Sequence, residues 1–138
     1  MRFRAKNYRR TLQAQSDALW QQLIIGLYGN KCVVCVKEGL YKGQQPVTGH
    51  HLIRRCWGWF RHDLLNGIAV CNEHHRWGDS KRKEVEAWLM ENMSDVYYHL
   101  VANKQSPHYR EGGRIPTYHL KEVRDSLRAR LKEWGLDY

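Results

Sequence analysis

Apolar residues recur along this chain at two different periods, and the change of period divides it into segments. From Thr11 to Tyr28, Leu12, Leu19, Leu23 and Leu27 repeat at helical spacing, and Gly29 is a natural stop. A loop follows, then a turn-rich stretch punctuated by Gly39, Gly43 and Pro46. Val47 to Ile53 and Gly67 to Val70 read as strands, joined by a basic and aromatic connection over Arg54 to Leu65. A second helix is expected from Cys71 or Asn72 to Gly78. A third is expected from Ser80 to Asn92, with Asp79 or Ser80 as cap and Val85, Trp88 and Leu89 on its buried side. Ser94 caps a short helix through Leu100, and Gln105 to Pro116 reads as a linker. Thr117 caps a final helix to Trp134, with Leu120, Val123, Leu127 and Leu131 on one face and Gly135 as terminator. That stripe either packs inward or forms a dimer contact.

The resulting order is helix, loop, two strands, helices, an α+β arrangement. A chain of 138 residues suits one domain, 1–138, with a strand-bearing core at about 30–93 and helical flanks at 7–29 and 94–135. No internal repeat or low-complexity segment interrupts it.

Charge narrows the partner. Lys and Arg number 23 against 14 Asp and Glu, a net charge of +9, which favours a polyanion over a neutral ligand. The cations form runs at Arg2 to Arg10, Arg54 to Arg61 and Lys81 to Lys83. Such spreading suits a surface that tracks a phosphate backbone. The plainer reading is a soluble basic protein. No apolar run approaches a membrane span, and the basic start Met1-Arg2-Phe3-Arg4-Ala5-Lys6 lacks a signal-peptide pattern, so a cytoplasmic location is expected.

In that compartment, four Cys beside eight His read as metal ligands before disulfides. Cys32-x-x-Cys35 and Cys71-x-x-His74 have the paired short-range spacing of a tetrahedral zinc site. Cys56 is the spare thiol: it either replaces His74 as fourth ligand or packs without a metal. A second group of residues lies between and beside these pairs. His50 and His51 end the first strand, Asn66 precedes the second, and His75 opens the next helix. Adjacent strand residues point to opposite faces, so the two histidines can do different work. Phosphodiester cleavage needs a base for water, a Lewis acid and a group that fixes the base. A neutral imidazole suits the first task. Two more imidazoles can hold a divalent ion, and an Asn amide can brace the backbone.

The order His51, Asn66, His75 resembles the HNH, or ββα-metal, nuclease motif. Gly49-His50-His51-Leu52-Ile53-Arg54-Arg55, followed by Arg61-His62-Asp63-Leu64-Leu65-Asn66-Gly67-Ile68-Ala69-Val70-Cys71, is similar to the zinc-bearing HNH proteins. In those the helix opens with C-x-x-C-H, whereas this chain has Cys71-x-x-His74-His75. The resemblance implies a ββα-metal core with a zinc-clamped loop. It implies His51 as general base, His50 and His75 as ligands of a catalytic Mg²⁺ or Mn²⁺, and Asn66 as the bracing residue. From about Trp20 to Trp134 the layout loosely resembles the phage NinG/Rap recombination endonucleases, and in that frame His50 is the alternative base. This second resemblance implies cleavage of branched DNA, such as Holliday junctions or D-loops. A homodimer is then expected, since resolving a junction takes two cuts. The alternatives are a sequence-directed or nonspecific HNH nickase, and a non-catalytic zinc module that only binds nucleic acid.

Arg54, Arg55 and Arg61 flank Trp57-Gly58-Trp59-Phe60, where the aromatics either stack on an unpaired base or build the core. Arg76, Lys81, Arg82 and Lys83 are further candidate phosphate contacts, or else a solvated helix face. His62, His99, His108 and His119 carry no assigned role.

Overall fold

A computed structural model of the chain describes residues 2–136; of the basic run that opens it, the side chains of residues 2–5 lie outside the description. The first helix, α1 (Arg2–Leu27), starts well before Thr11. The run preceding Thr11 holds neither Pro nor Gly, and Thr11 itself is no cap: its hydroxyl donates to the Asn7 carbonyl one turn back. The helical period becomes visible in the sequence only at Leu12, the first of the described side chains to be fully buried. Its buried stripe is Leu12, Ser16, Trp20, Leu23 and Ile24, while Leu27 is exposed. The helix ends on a left-handed Gly29, with Gly29 N–H bonded to Gly26 O and Asn30 N–H to Ile25 O.

A short helix, α2 (Val33–Lys37), carries the first cysteine pair. Strands β1 (Val47–His51) and β2 (Gly67–Cys71) pair antiparallel, with His50 opposite Ile68 and His51 opposite Gly67. β1 stops two residues short of the expected Ile53. There the chain leaves the ladder to bend around Asn66, which accepts from Ile53 N–H through Oδ1. The connection between the strands forms α3 (Gly58–Arg61) and a 3-10 turn at Leu64–Asn66.

α4 (Asn72–Ser80) runs through Gly78, and Ser80 bonds back to Arg76 O instead of capping the next helix. Lys81 is the junction to α5 (Arg82–Asn92), which leads to α6 (Ser94–Lys104). The expected linker holds a helix, α7 (Pro107–Glu111), with Pro107 at its first turn, where a missing N–H costs nothing. The last helix, α8 (Thr117–Glu133), has Pro116, not Thr117, at the cap position. Its apolar stripe packs inward: Leu127 and Leu131 meet Trp20, Leu23 and Ile24 of α1, and Leu120 meets Leu12. A second core gathers α2, the two strands, α5 and α6. The architecture is α+β, mostly helical, around one two-stranded sheet. None of its helices, among the described residues, is long and apolar enough to cross a membrane.

Candidate functional site

Cys71 closes β2 and is also the N-cap of α4, so the strand passes directly into the helix and His74 follows one turn later. Cys32 is likewise the N-cap of α2, and there the sulfur itself caps, accepting from Cys35 N–H at 3.4 Å. The four side chains converge. His74 Nδ1 lies 3.3 Å from Cys32 Sγ, 3.4 Å from Cys35 Sγ and 3.3 Å from Cys71 Sγ, with 3.9 Å between the sulfurs of Cys35 and Cys71. A tetrahedral zinc with bonds of about 2.3 Å to sulfur and about 2.0 Å to nitrogen has edges of about 3.8 Å and 3.5 Å. Cys32, Cys35, Cys71 and His74 thus lie close enough to hold a metal ion, and their donor set suits zinc. Burial above all, reinforced by the neighbouring thiols, pushes Cys35 up to about 11. A cation among the sulfurs would favour the thiolates instead. Cys56 is exposed and stands apart from this cluster, so His74, not Cys56, completes it.

His75 turns away from its neighbour. Its Nδ1 lies 3.2 Å from Asp79 Oδ2, one turn further along α4, and Asp79 Oδ1 lies 3.6 Å from Nδ1 of His50. His50, His75 and Asp79 form a second group close enough for one ion. His50 is buried against α4 because residue 78 is glycine: a Cβ there would sit 2.7 Å from His50 Nε2. Burial first, then the charge of His75, lowers His50 to about 4, which keeps its imidazole neutral at pH 7.

His51, on the other face of β1, meets α1. Its ring stacks on Trp20, 3.9 Å between centroids and 10° between planes. Gly49 and Gly67 make room for that indole, since a Cβ on Gly67 would lie 2.3 Å from Trp20 Cζ2. Trp20 Nε1 donates to Asp63 O. His51 Nε2 is 2.9 Å from the Arg61 carbonyl, which can only accept, so Nε2 carries the proton and Nδ1 keeps a free lone pair. Burial foremost lowers His51 to about 4, so it too is neutral at pH 7.

Asn66 does not line the cleft. It is 2% exposed and uses its whole amide: Oδ1 accepts from Ile53 N–H at 2.7 Å, and Nδ2 donates to Ile53 O and Phe60 O at 3.1 and 3.0 Å. It therefore fixes the chain next to the Arg61 carbonyl that holds His51. Arg61 is held from the other side, by a two-point bond to Asp17, which also takes His62. Burial alone would raise Asp17; the bonds from His62 and Arg61 outweigh it and hold the carboxyl at about 2.

His50, His51 and His75 line one open cleft of about 840 Å³, together with Arg54, Arg55, Arg76 and Arg82. Asp79 is the sole carboxylate in its lining among the described residues. Arg82 also donates to Leu52 O at 2.8 Å. Lys83 lines the neighbouring cavity behind His50, and Lys81 is exposed at the α4–α5 junction. The aromatics of the connection are engaged with the core: Trp57 stacks on Tyr109, Trp59 on His108, and Phe60 is buried. Sequence pattern marks Asp79 only as a candidate helix cap, and marks neither Asp17 nor Trp20 as a site residue. For Asp79 a signal existed, since His75-x-x-x-Asp79 places both on one helical face. No family model matches the chain, and no curated protein or solved structure matches it either.

Proposed function

We propose that this protein is a divalent-metal-dependent endonuclease of the HNH type that hydrolyses DNA phosphodiesters. In this reading β1, β2 and α4 are a ββα-metal core, and Cys32, Cys35, Cys71 and His74 hold a structural zinc. The observation that carries it is one basic cleft where a tautomer-fixed imidazole, His51, lies beside the ligand trio His50, His75 and Asp79.

The residues divide the work. His51 accepts a proton from water at Nδ1 while Arg61 O anchors Nε2–H. Its neutral state at pH 7 leaves that lone pair available, and the negative charge of a bound phosphate would strengthen it as a base. His50, His75 and Asp79 would hold Mg²⁺ or Mn²⁺, which supplies Lewis-acid stabilisation to the phosphate and leaving oxygen. Arg54, Arg55 and Arg76, exposed on the rim, bind the flanking phosphates. Stacking on Trp20 and the Asn66 bracing keep the base from turning, which preserves its approach to the water.

Branched recombination intermediates are the preferred substrate, on the resemblance to the NinG/Rap group. A labelled panel tests this: a four-way junction, a D-loop, and their linear duplex and single-stranded arms, each with Mg²⁺, Mn²⁺ or EDTA. Cutting that needs the cation and favours branched over linear DNA is expected. Equal rates on junction and arms would leave a nonspecific nickase; no cutting with either cation would leave a module that only binds nucleic acid.

A further inference from the structure

Beside the cleft lies a second cavity, of about 450 Å³, between α1, the start of α3 and the segment Gly113 to Ile115. Its wall is fastened: Gly58 N–H donates to Gly113 O at 2.6 Å, a contact that leaves no space for a Cβ at Gly58. Lys6, Arg9, Arg10, Arg55 and Arg114 line it. Among the described residues Asp17 is the only acid in the lining, and its two oxygens are taken by Arg61 and His62. Among the described residues none of the five cations has a carboxylate partner. Burial and the charge of Arg114 both work against the charged form of Arg9. So many like charges around one hollow raise the free energy of the folded chain, and a bound polyanion would relieve it.

We propose that this basic hollow is a second backbone subsite, which grips the sugar-phosphate chain of a DNA substrate as it leaves the cleft. Arg55 lines both cavities and makes them neighbours along one track. Lys6 and Arg10 stand one turn apart on α1, about 6 Å along its axis, a spacing that suits an extended row of phosphates better than one compact anion. The choice of DNA as ligand rests on the nuclease reading of the cleft.

The test uses the full chain with Lys6→Gln, Arg10→Gln and Arg114→Gln combined, residues outside the catalytic cleft. Fluorescence anisotropy with a labelled 30-nucleotide DNA duplex, in EDTA, gives affinity across a salt series. Loss of about three phosphate contacts should lower the slope of log affinity against log salt by roughly 2–3 and weaken binding at least about tenfold near 0.1 M salt. The charge-preserving set Lys6→Arg, Arg10→Lys and Arg114→Lys should restore both, which separates charge from misfolding. An unchanged slope and affinity in the Gln variant would overturn the proposal. Turnover of bis(p-nitrophenyl) phosphate with Mn²⁺, a diester too small to reach the hollow, reports on the cleft alone. If it is absent while the slope falls, the hollow stands and the nuclease reading fails. If it is present while the slope holds, the reverse is true.

Discussion

Gly78→Ala isolates the support of one proposed ligand. The new Cβ would lie 2.7 Å from Nε2, 3.0 Å from Cε1 and 3.1 Å from Cδ2 of His50. Ordinary contact is about 3.5–4.0 Å, so the ring must retreat by roughly 0.5–1 Å. Metal–ligand distances tolerate only about 0.2 Å, so such a retreat takes Nδ1 out of reach of an ion shared with His75 and Asp79. Losing a support of this kind weakens metal binding by about 10–100-fold, or about 1.4–2.7 kcal/mol. The global fold should feel little. Ala gains about 1 kcal/mol over Gly in a helix, which offsets most of an overpacking penalty of about 1–3 kcal/mol. Mn²⁺ titration followed by electron paramagnetic resonance gives the affinity, and thermal unfolding and bound zinc report the fold. The expected pattern is weak Mn²⁺ binding and slow cleavage with zinc and Tm near wild type. Mn²⁺ affinity and cleavage within about twofold of wild type would refute the packing argument.

Elemental analysis should find one zinc per chain in the wild type and in Cys56→Ser, and loss of zinc with a large fall in Tm in Cys32→Ser or Cys71→Ser. Asn66→Ala strips three buried hydrogen bonds and orphans Ile53 N–H, so urea denaturation should show a loss of about 3–5 kcal/mol. Asp17 is depressed to about 2 in the folded chain, so its contribution is complete above its unfolded value and disappears as pH falls from about 4 to about 2. Allowing for its partial exposure, the stability gap between wild type and Asp17→Asn should be about 1–2 kcal/mol at pH 6. It should close in that acid window; a gap independent of pH would mean that Asp17 acts by packing alone.

The parts of this structure that short-range spacing specifies were legible in the sequence. Two residue pairs, each spanning one tight turn, announced the Cys32, Cys35, Cys71 and His74 cluster, because a capping cysteine and the residue three positions on must share a face. The alternation of a strand separated the surroundings of His50 from those of His51. Long-range contacts were not legible. Nothing local to Trp20 marks it as the stacking partner of His51, and nothing near Asp17 marks it as the anchor of Arg61. Asp79 reads in the sequence as a cap for the next helix, whereas it lies inside α4 and faces His75 one turn back. Gln105 to Pro116 reads as a linker although Pro107 opens α7 within it, and Thr11 reads as a start although it lies inside α1. Propensity marks where a helix is discouraged, whereas tertiary packing decides where it ends.

His51→Ala offers the most direct test of the catalytic assignment, by rate of cleavage of labelled DNA at saturating Mg²⁺ or Mn²⁺, with affinity measured in parallel. Removing the base should slow cleavage by about 10²–10⁴-fold while DNA and Mn²⁺ affinities stay near wild type. A variant that cuts at the wild-type rate would show that this imidazole takes no proton in the reaction.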